Sequence, residues 1–195
     1  MVEAKPRKKA VVKIVESFSI GNPSELCVQA LQKEKSDAKN TLKRFYPEYK
    51  PTDLPVSYKL RKEGLADILQ LWDVTFKGRA GTPYEGRKIT GTLQFPDNYP
   101  IDSPRFIFGT LPDDDKQHFK HINVYGDGST CIDILNAATY NSATQVADML
   151  KALEDLIYNP NPDSAANKEL EGLFRKDMAS YEQRIKEQAE RLPKA

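Results

Sequence analysis

The chain has 195 residues, and its 29 basic and 28 acidic side chains leave a formal net charge of +1. A chain of this length forms one domain with an extra arm and is long enough to bury a core. A charge so close to zero gives no bulk attraction to nucleic acid or to an acidic membrane, and no apolar run approaches the roughly 20 residues that cross a bilayer. The composition therefore excludes both as main partners and leaves protein surfaces and small molecules.

The cysteine content is low, because Cys27 and Cys131 are the two cysteines and lie far apart in the sequence. A domain of this size does not need a disulfide, and nothing in the sequence indicates an oxidising compartment. We therefore predict two free thiols and a location in the cytoplasm, the nucleus or both. Residues 1–13 are basic but are followed by no apolar core, so they are not interpreted as a secretory signal.

The N-terminal part is predicted to be an arm followed by a helix. Basic residues cluster within residues 1–21, which we interpret as a flexible basic arm. Asn22 is suited to cap a helix, with Pro23 at its first position and Glu25 at its third, and Pro47 is predicted to end it. Apolar residues recur between these limits and just beyond at helical spacing: Leu31, Ala38, Leu42, Phe45 and Tyr49.

The middle of the chain has the alternating pattern of strands. Between Val56 and Phe108, apolar residues recur at every second position, as in Trp72, Val74 and Phe76. Glycine and proline residues separate these runs, which predicts neighbouring strands that pair as an antiparallel meander. Proline lacks the donor that a central strand needs, so the proline-rich segment 96–104 is predicted to be a turn or a covering flap.

The last part of the chain is predicted to be irregular and then helical. Residues 109–144 show no sustained periodicity, which in a compact domain is typical of a functional or a disordered segment. Helical spacing returns over residues 146–157 and again over residues 170–185. Helix, meander, irregular segment and helices in this order predict an α+β domain. We assign residues 22–190 to that domain and residues 191–195 to a tail.

One stretch of the irregular segment carries a family motif. Residues 121–135 read His-Ile-Asn-Val-Tyr-Gly-Asp-Gly-Ser-Thr-Cys-Ile-Asp-Ile-Leu. This resembles the active-site segment of the ubiquitin-conjugating enzymes, which reads His-Pro-Asn, then a glycine-containing turn, then Cys-x-Asp-Ile-Leu. The separation of eight residues between Asn123 and Cys131 matches that family. The likeness extends to the Trp72 strand, the proline-rich flap and residues 159–167.

The resemblance implies both a fold and an activity. The fold is an N-terminal helix, a four-stranded antiparallel meander and C-terminal helices. The activity is that of an acyltransferase, in which an activating enzyme loads ubiquitin as a thioester on Cys131 and a ubiquitin ligase helps pass it to a lysine amine of a protein substrate. Thiolate is both a good nucleophile and a good leaving group, as this chemistry requires. No cofactor is expected, and Asp113–Asp115 lack the spacing of metal ligands.

The resemblance also assigns roles around Cys131. Asn123 matches the asparagine near the attacked carbonyl, where its amide N–H groups are expected to stabilise an oxyanion. The alternative is that Asn123 only pins the loop by hydrogen bonds. His121 is expected to be structural rather than a general base, and Tyr125 to be structural in the same loop. Cys27 is expected to be a small buried residue of the first helix.

A substrate lysine arrives protonated, since its reference pKa is about 10.4. The site must therefore favour the neutral amine by desolvation or by a nearby acceptor. Asp133 follows the cysteine by two residues, and Asp163 and Ser164 are expected in the opposing loop. We assign these three residues to positioning the lysine or gating its approach. The alternative for Asp163 and Ser164 is ordinary turn chemistry.

The surface for a ligase is predicted by resemblance alone. It comprises Ile101 of the flap together with Ser142 and Ala143. Tyr140 and Ser142 stand where the family usually has tryptophan and proline, so the set of ligases is expected to differ.

Two further departures lie next to the motif. Ile122 replaces the proline of His-Pro-Asn, and the loss of its fixed φ predicts a looser loop around Asn123. The segment 109–120 is longer than the usual link to the histidine. Residues 111–115 are therefore predicted to be an insertion that reshapes the approach to the thioester.

The sequence leaves the modifier and the function class open. Residues 124–129 and 161–164 look like those of ubiquitin carriers, whereas residues 81–86 and 188–189 also look like those of the SUMO carrier. Ubiquitin is preferred because its family is larger. A non-catalytic ubiquitin-binding variant of the fold is one rival, although such variants lack the cysteine. A cysteine hydrolase is another, and it lacks an evident base.

Overall fold

The structure is an α+β domain whose elements follow the predicted order. A computed structural model of the chain describes residues 21–195, so all but the last residue of the predicted arm lie outside the described residues. Within residues 21–195, no helix has both the length and the apolar character needed to cross a bilayer. The α-helices are α1 (Glu25–Phe45), α2 (Val146–Tyr158), α3 (Lys168–Lys176) and α4 (Met178–Arg191). The strands are β1 (Val56–Glu63), β2 (Ala66–Lys77), β3 (Lys88–Gln94), β4 (Arg105–Phe108), β5 (Thr110–Leu111) and β6 (Asp114–His118).

The main sheet is the predicted meander. Strands β1 to β4 pair antiparallel in chain order, which confirms the fold expected from the alternating pattern. Trp72 lies opposite Leu93 and Phe76 lies opposite Ile89. All four side chains are fully buried, because alternate residues of a strand point to the same face. Apolar residues of α1 and α2 join them in one core.

The start of α1 differs from the prediction. The cap is Ser24, whose Oγ accepts a hydrogen bond from the Cys27 N–H at 3.1 Å, and the first helical residue is Glu25. Asn22 and Pro23 precede the helix, because the Ser24 N–H donates to the Asp97 carbonyl at 3.0 Å and holds this entry against the flap. The predicted end is correct, since α1 stops at Phe45. Tyr49 lies beyond the helix and is 37% exposed.

The predicted insertion folds as a hairpin of β5 and β6 within the segment where no element was predicted. Asp113 in its turn accepts hydrogen bonds from Nε and Nη2 of Arg191 in α4, at 2.9 and 3.0 Å. Nη1 of Arg191 also donates to Gln117 of β6 at 2.5 Å. Asp113 is thus exposed at the tip of the hairpin and is paired there with Arg191. Two such short, polar strands leave no alternating pattern that sequence reasoning detects.

The last residues pack against the sheet. Leu192 is 6% exposed. The Lys88 N–H donates to the Pro193 carbonyl at 2.8 Å, and the Ala195 N–H donates to the Gly86 carbonyl at 2.9 Å. The segment assigned to a tail thus adds a short antiparallel contact at the beginning of β3.

Candidate active site

Cys131 is presented by a small irregular hairpin. Its N–H donates to the Asn123 carbonyl at 2.9 Å, and the Tyr125 N–H donates to the Ser129 carbonyl at 2.8 Å. Gly128 closes the turn between them with a φ of +82°, a conformation that favours glycine. Cys131 is half-buried and free, whereas Cys27 is buried and free. The cysteine that carries the motif is therefore the less buried of the two.

The opposing loop brings a hydroxyl to the sulfur. Residues Pro162–Ser164 form a short 3-10 helix that is capped by Asn161, whose Oδ1 accepts a hydrogen bond from the Asp163 N–H. This geometry places the Ser164 Oγ 3.3 Å from the Cys131 Sγ, within hydrogen-bonding distance for sulfur. Asp163 points outward, with a largely exposed side chain, and pairs with Arg175 of α3 at 2.7 Å. Ser164 thus lies at the thiol, and Asp163 lies at the rim.

Asn123 joins the two loops. It is fully buried, and its Nδ2 donates to the carbonyls of Asn161 at 2.7 Å and Ser164 at 2.8 Å. Its Oδ1 accepts from the Asn161 N–H at 2.9 Å. A side-chain amide has two N–H donors, so both are in use. Pinning of the loop is the role that this arrangement provides, and an oxyanion role requires that one of these bonds be released.

His121 is a buried structural residue in this arrangement. It is 2% exposed, and its Nδ1 accepts a hydrogen bond from the Asn123 N–H at 3.1 Å. Burial lowers the pKa of His121 to about 4, against a smaller opposing effect of the Leu156 backbone. The ring is therefore neutral near pH 7. Among the described residues, no hydrogen bond joins it to Cys131.

Ile122 holds the loop by a different means from the family proline. It is fully buried, and its carbonyl accepts hydrogen bonds from the N–H groups of Ala166 at 2.9 Å and Asn167 at 2.8 Å. Burial and these two bonds constrain the loop where the family has the fixed φ of proline, and a looser loop stays a prediction. Neither Ala166 nor Asn167 was predicted to support the site, although both lie in the stretch that carries the resemblance.

Asp133 and Tyr125 lie on the surface of the cysteine segment. Asp133 begins a 3-10 helix, Asp133–Leu135, and is exposed. Its carbonyl accepts from the Thr139 hydroxyl at 2.8 Å, while its carboxylate makes no hydrogen bond or ion pair within residues 21–195. Tyr125 contributes its backbone to the turn, but its ring is 49% exposed. Both side chains are free to meet a bound partner.

The predicted ligase surface is exposed. Ile101 is 67% exposed, and Ser142 and Ala143 are also exposed. The Asn141 Oδ1 accepts from the Ala143 N–H at 2.9 Å and fixes that turn.

Cys27 has the buried position expected of it. Its Sγ donates to the Pro96 carbonyl at 3.5 Å, and burial raises the pKa of its thiol, with a smaller contribution from Asp97. The part of the chain that the structure describes contains no group of three or more histidine, cysteine, aspartate or glutamate side chains arranged to hold a metal ion.

Fold and site together define a class of conjugating enzyme, in which an α+β domain presents a half-exposed cysteine opposite an Asn-Pro loop. The chain belongs to the family described as ubiquitin-conjugating enzyme, which matches residues 31–189. This family consists of transferases that attach ubiquitin or a ubiquitin-like modifier.

Curated relatives include carriers of two modifiers. The chain is 34% identical over 121 residues to ubiquitin-conjugating enzyme E2 2 of Mycosarcoma maydis, which covers 62% of this chain and 61% of that protein. It is 34% identical over 126 residues to SUMO-conjugating enzyme SCE1 of Arabidopsis thaliana, covering 64% of this chain and 74% of that protein. The match to the fungal relative therefore spans less than two thirds of that relative's length.

Proposed function

We propose that this chain accepts ubiquitin as a thioester on Cys131 and transfers it to lysine amines of protein substrates. The observation that carries the proposal is the half-buried Cys131, whose Sγ lies 3.3 Å from the Ser164 Oγ, in a loop whose partner loop is fixed by Asn123. An accessible thiol on a rigid support is what a carrier of a large acyl group needs.

The reaction has two acyl transfers. In the first, the Cys131 thiolate attacks the thioester between the modifier's terminal carboxyl group and the activating enzyme, and the activating enzyme's thiolate leaves. In the second, a neutral lysine amine attacks the carbonyl on Cys131, the C–S bond breaks, and an isopeptide bond forms. The amine proton passes to a nearby acceptor or to water. Asp133 and Asp163 at the rim are suited to attract and orient the lysine before this step.

The choice of modifier is the finer part of the proposal. The ubiquitin and SUMO carriers named above are equally similar to this chain, at 34% identity. Ubiquitin is the first choice and SUMO the second, and the activating enzyme and ligase are those of the corresponding modifier. A non-catalytic binding variant is disfavoured by the accessible Cys131.

Loading tests the proposal directly. The purified chain is incubated with ATP and either ubiquitin with its activating enzyme or SUMO with its own, and the products are separated without reductant. We expect an adduct that thiol reductant removes and that Cys131→Ala abolishes. Cys131→Ser is expected to give an oxyester that reductant does not cleave, and Cys27→Ala is the matched control that still loads. No adduct with either modifier, while a known carrier loads in parallel, contradicts the proposal.

A further inference from the structure

An aromatic pocket of about 210 Å³ lies between the turn that joins β2 to β3, the end of α2, and the helices α3 and α4. Four aromatic rings line it: Tyr84, Tyr158, Phe174 and Tyr181. The other described residues of the lining are apolar, apart from one threonine and the carboxylate of Glu182. None of them belongs to the cysteine loop, residues 121–131, so the pocket is separate from the site of the thioester.

The rings of the pocket cross at steep angles. The centroids of Phe174 and Tyr181 are 5.2 Å apart with their planes at 85°, and those of Tyr84 and Tyr158 are 6.4 Å apart at 66°. Rings that cross present their faces in different directions, so a guest in the pocket meets aromatic faces on more than one side. A flat guanidinium stacks on one face, whereas this arrangement suits a compact, rounded cation.

One ring of the pocket already binds a cation of the chain itself. The Arg79 guanidinium lies 4.2 Å from the centroid of the Tyr158 ring. Its charge is balanced, because its Nη2 donates to both oxygens of Glu154 at 2.8 and 2.9 Å and lies 3.7 Å from Asp155. Lys151 pairs with the same two carboxylates. Two cations and two carboxylates thus cancel at this side of the pocket.

The charge that remains at the pocket is negative. Glu182 is exposed, and within residues 21–195 its carboxylate forms no ion pair or hydrogen bond. Glu85, next to Tyr84 in the turn, accepts a hydrogen bond from the Gly81 N–H and keeps its own charge. Lys186 lies one turn after Glu182 in α4 but is not part of the described lining. The aromatic faces and the Glu182 carboxylate therefore both favour a positively charged guest.

We propose that this pocket binds the trimethylammonium group of a methylated lysine in a partner protein. The ring faces attract its charge, and the apolar walls contact its methyl groups. Since the group has no N–H donor, the apolar lining leaves none of its hydrogen bonds unsatisfied. An unmodified lysine is strongly hydrated and would lose that hydration in the same place. The proposal goes beyond the carrier function and does not depend on Cys131.

The test measures binding of short glycine–serine peptides to the full chain by isothermal titration calorimetry. One peptide carries a trimethyllysine at its centre, a second carries unmodified lysine, and a third carries a neutral isostere in which a tert-butyl group replaces trimethylammonium. We expect the trimethyllysine peptide to bind about 5- to 30-fold more tightly than the neutral peptide, the value of a desolvated cation–π contact. It is also expected to bind more tightly than the lysine peptide.

Variants assign the preference to the pocket. Tyr181→Leu and Phe174→Leu keep apolar side chains but remove a ring, and both are expected to reduce the preference for trimethyllysine over the neutral peptide. Glu182→Gln is expected to weaken trimethyllysine binding about two- to fivefold without any change of packing, so the assignment does not depend on how well the leucine variants fold. Glu190→Gln, exposed on the same helix outside the pocket, is the control and is expected to bind as wild type does.

Three outcomes overturn the proposal. They are equal affinity for the trimethyllysine and neutral peptides, no saturable binding of trimethyllysine at millimolar concentration, and a preference that survives unchanged in both Tyr181→Leu and Glu182→Gln. Loading of Cys131 is measured separately, so failure of the pocket and failure of the carrier function are distinguishable.

Discussion

At the scale of single residues, Asn123 and Ser164 determine how the thiol is held. Asn123 supplies three hydrogen bonds to the opposing loop, whereas Ser164 contributes a hydroxyl to the sulfur itself. We therefore expect the first residue to affect the stability of the site and the second to affect the reactivity of Cys131. Their substitutions are expected to have separable effects.

Replacing Asn123 is expected to destabilise the domain. Asn123→Ala leaves the Asn161 N–H and the carbonyls of Asn161 and Ser164 without their partner, and an unsatisfied buried polar group costs about 1–3 kcal/mol. We expect the free energy of unfolding, measured in urea, to fall by about 2–4 kcal/mol. Asn98→Ala, at an exposed position, is the control and is expected to change it by less than about 0.5 kcal/mol. If the two variants are equally stable, the pinning role is contradicted and the alternative role, stabilisation of the oxyanion by Asn123, is favoured.

Replacing Ser164 is expected to alter the reactivity of the thiol. The Ser164 hydroxyl lies within hydrogen-bonding distance of the sulfur, and either atom can be the donor, so Ser164→Ala is expected to change the rate at which iodoacetamide alkylates Cys131 by about 2- to 10-fold, the value of one hydrogen bond. Ser164→Asp places a negative charge beside the sulfur and is expected to change the rate as well. Cys27 is buried and serves as the internal reference. Unchanged alkylation in both variants means that the 3.3 Å contact does not influence the sulfur.

At the scale of elements, the β5–β6 hairpin depends on α4. The guanidinium of Arg191 donates hydrogen bonds to Asp113 in the turn of the hairpin and to Gln117 in its second strand. The Arg191 guanidinium also holds the pKa of the Asp113 carboxyl below its usual range. The attraction is therefore present at neutral pH and is lost as acid protonates Asp113, below about pH 4.

Arg191→Ala is expected to loosen the hairpin locally. Amide hydrogen exchange over residues 110–118 is expected to quicken in the variant, while the rest of the domain keeps its protection. The difference from wild type is expected to shrink in acid, where Asp113 is protonated in both and the Gln117 bond of Arg191 remains. Arg184→Ala, on the same helix but paired with Glu169, is the control. Exchange that is equally slow in Arg191→Ala shows that backbone pairing alone maintains the hairpin.

At the scale of the whole molecule, His121 makes folding sensitive to acid. Its pKa is about 4 in the folded chain and about 6.5 when unfolded. Between these values the unfolded chain binds a proton that the folded chain does not, so stability falls as the pH falls. The contribution reaches about 3 kcal/mol near pH 4.

The sensitivity to acid is tested by urea unfolding of wild type and His121→Gln between pH 7 and pH 4. Wild type is expected to lose about 3 kcal/mol more than the variant over this range. The comparison is made on the change with pH, so a constant packing defect of the variant does not matter. Parallel curves contradict the buried, neutral histidine.

The sequence predicted the structure correctly where a periodic pattern indicates burial or where a motif indicates the position of a residue. Alternation through Trp72 and Phe76 predicts the meander, and the motif around Cys131 predicts the position of the thiol. The sequence-based predictions failed where contacts between residues distant in sequence determine the local structure. The capping by Ser24 depends on the flap, and the hairpin depends on Arg191, about 78 residues away in sequence. Ile122 likewise holds its loop through the N–H groups of Ala166 and Asn167, and no local sequence pattern indicates this contact.

The three hydrogen bonds of Asn123 have a consequence for turnover. They join two chain segments that are 38 residues apart, so thermal motion that displaces one segment carries the other with it. The loop that carries the sulfur and the loop that carries the Ser164 hydroxyl are thus held in register with each other. The entropy of aligning the two loops is lost once, during folding, so each incoming lysine meets a thioester whose flanking loops are already aligned.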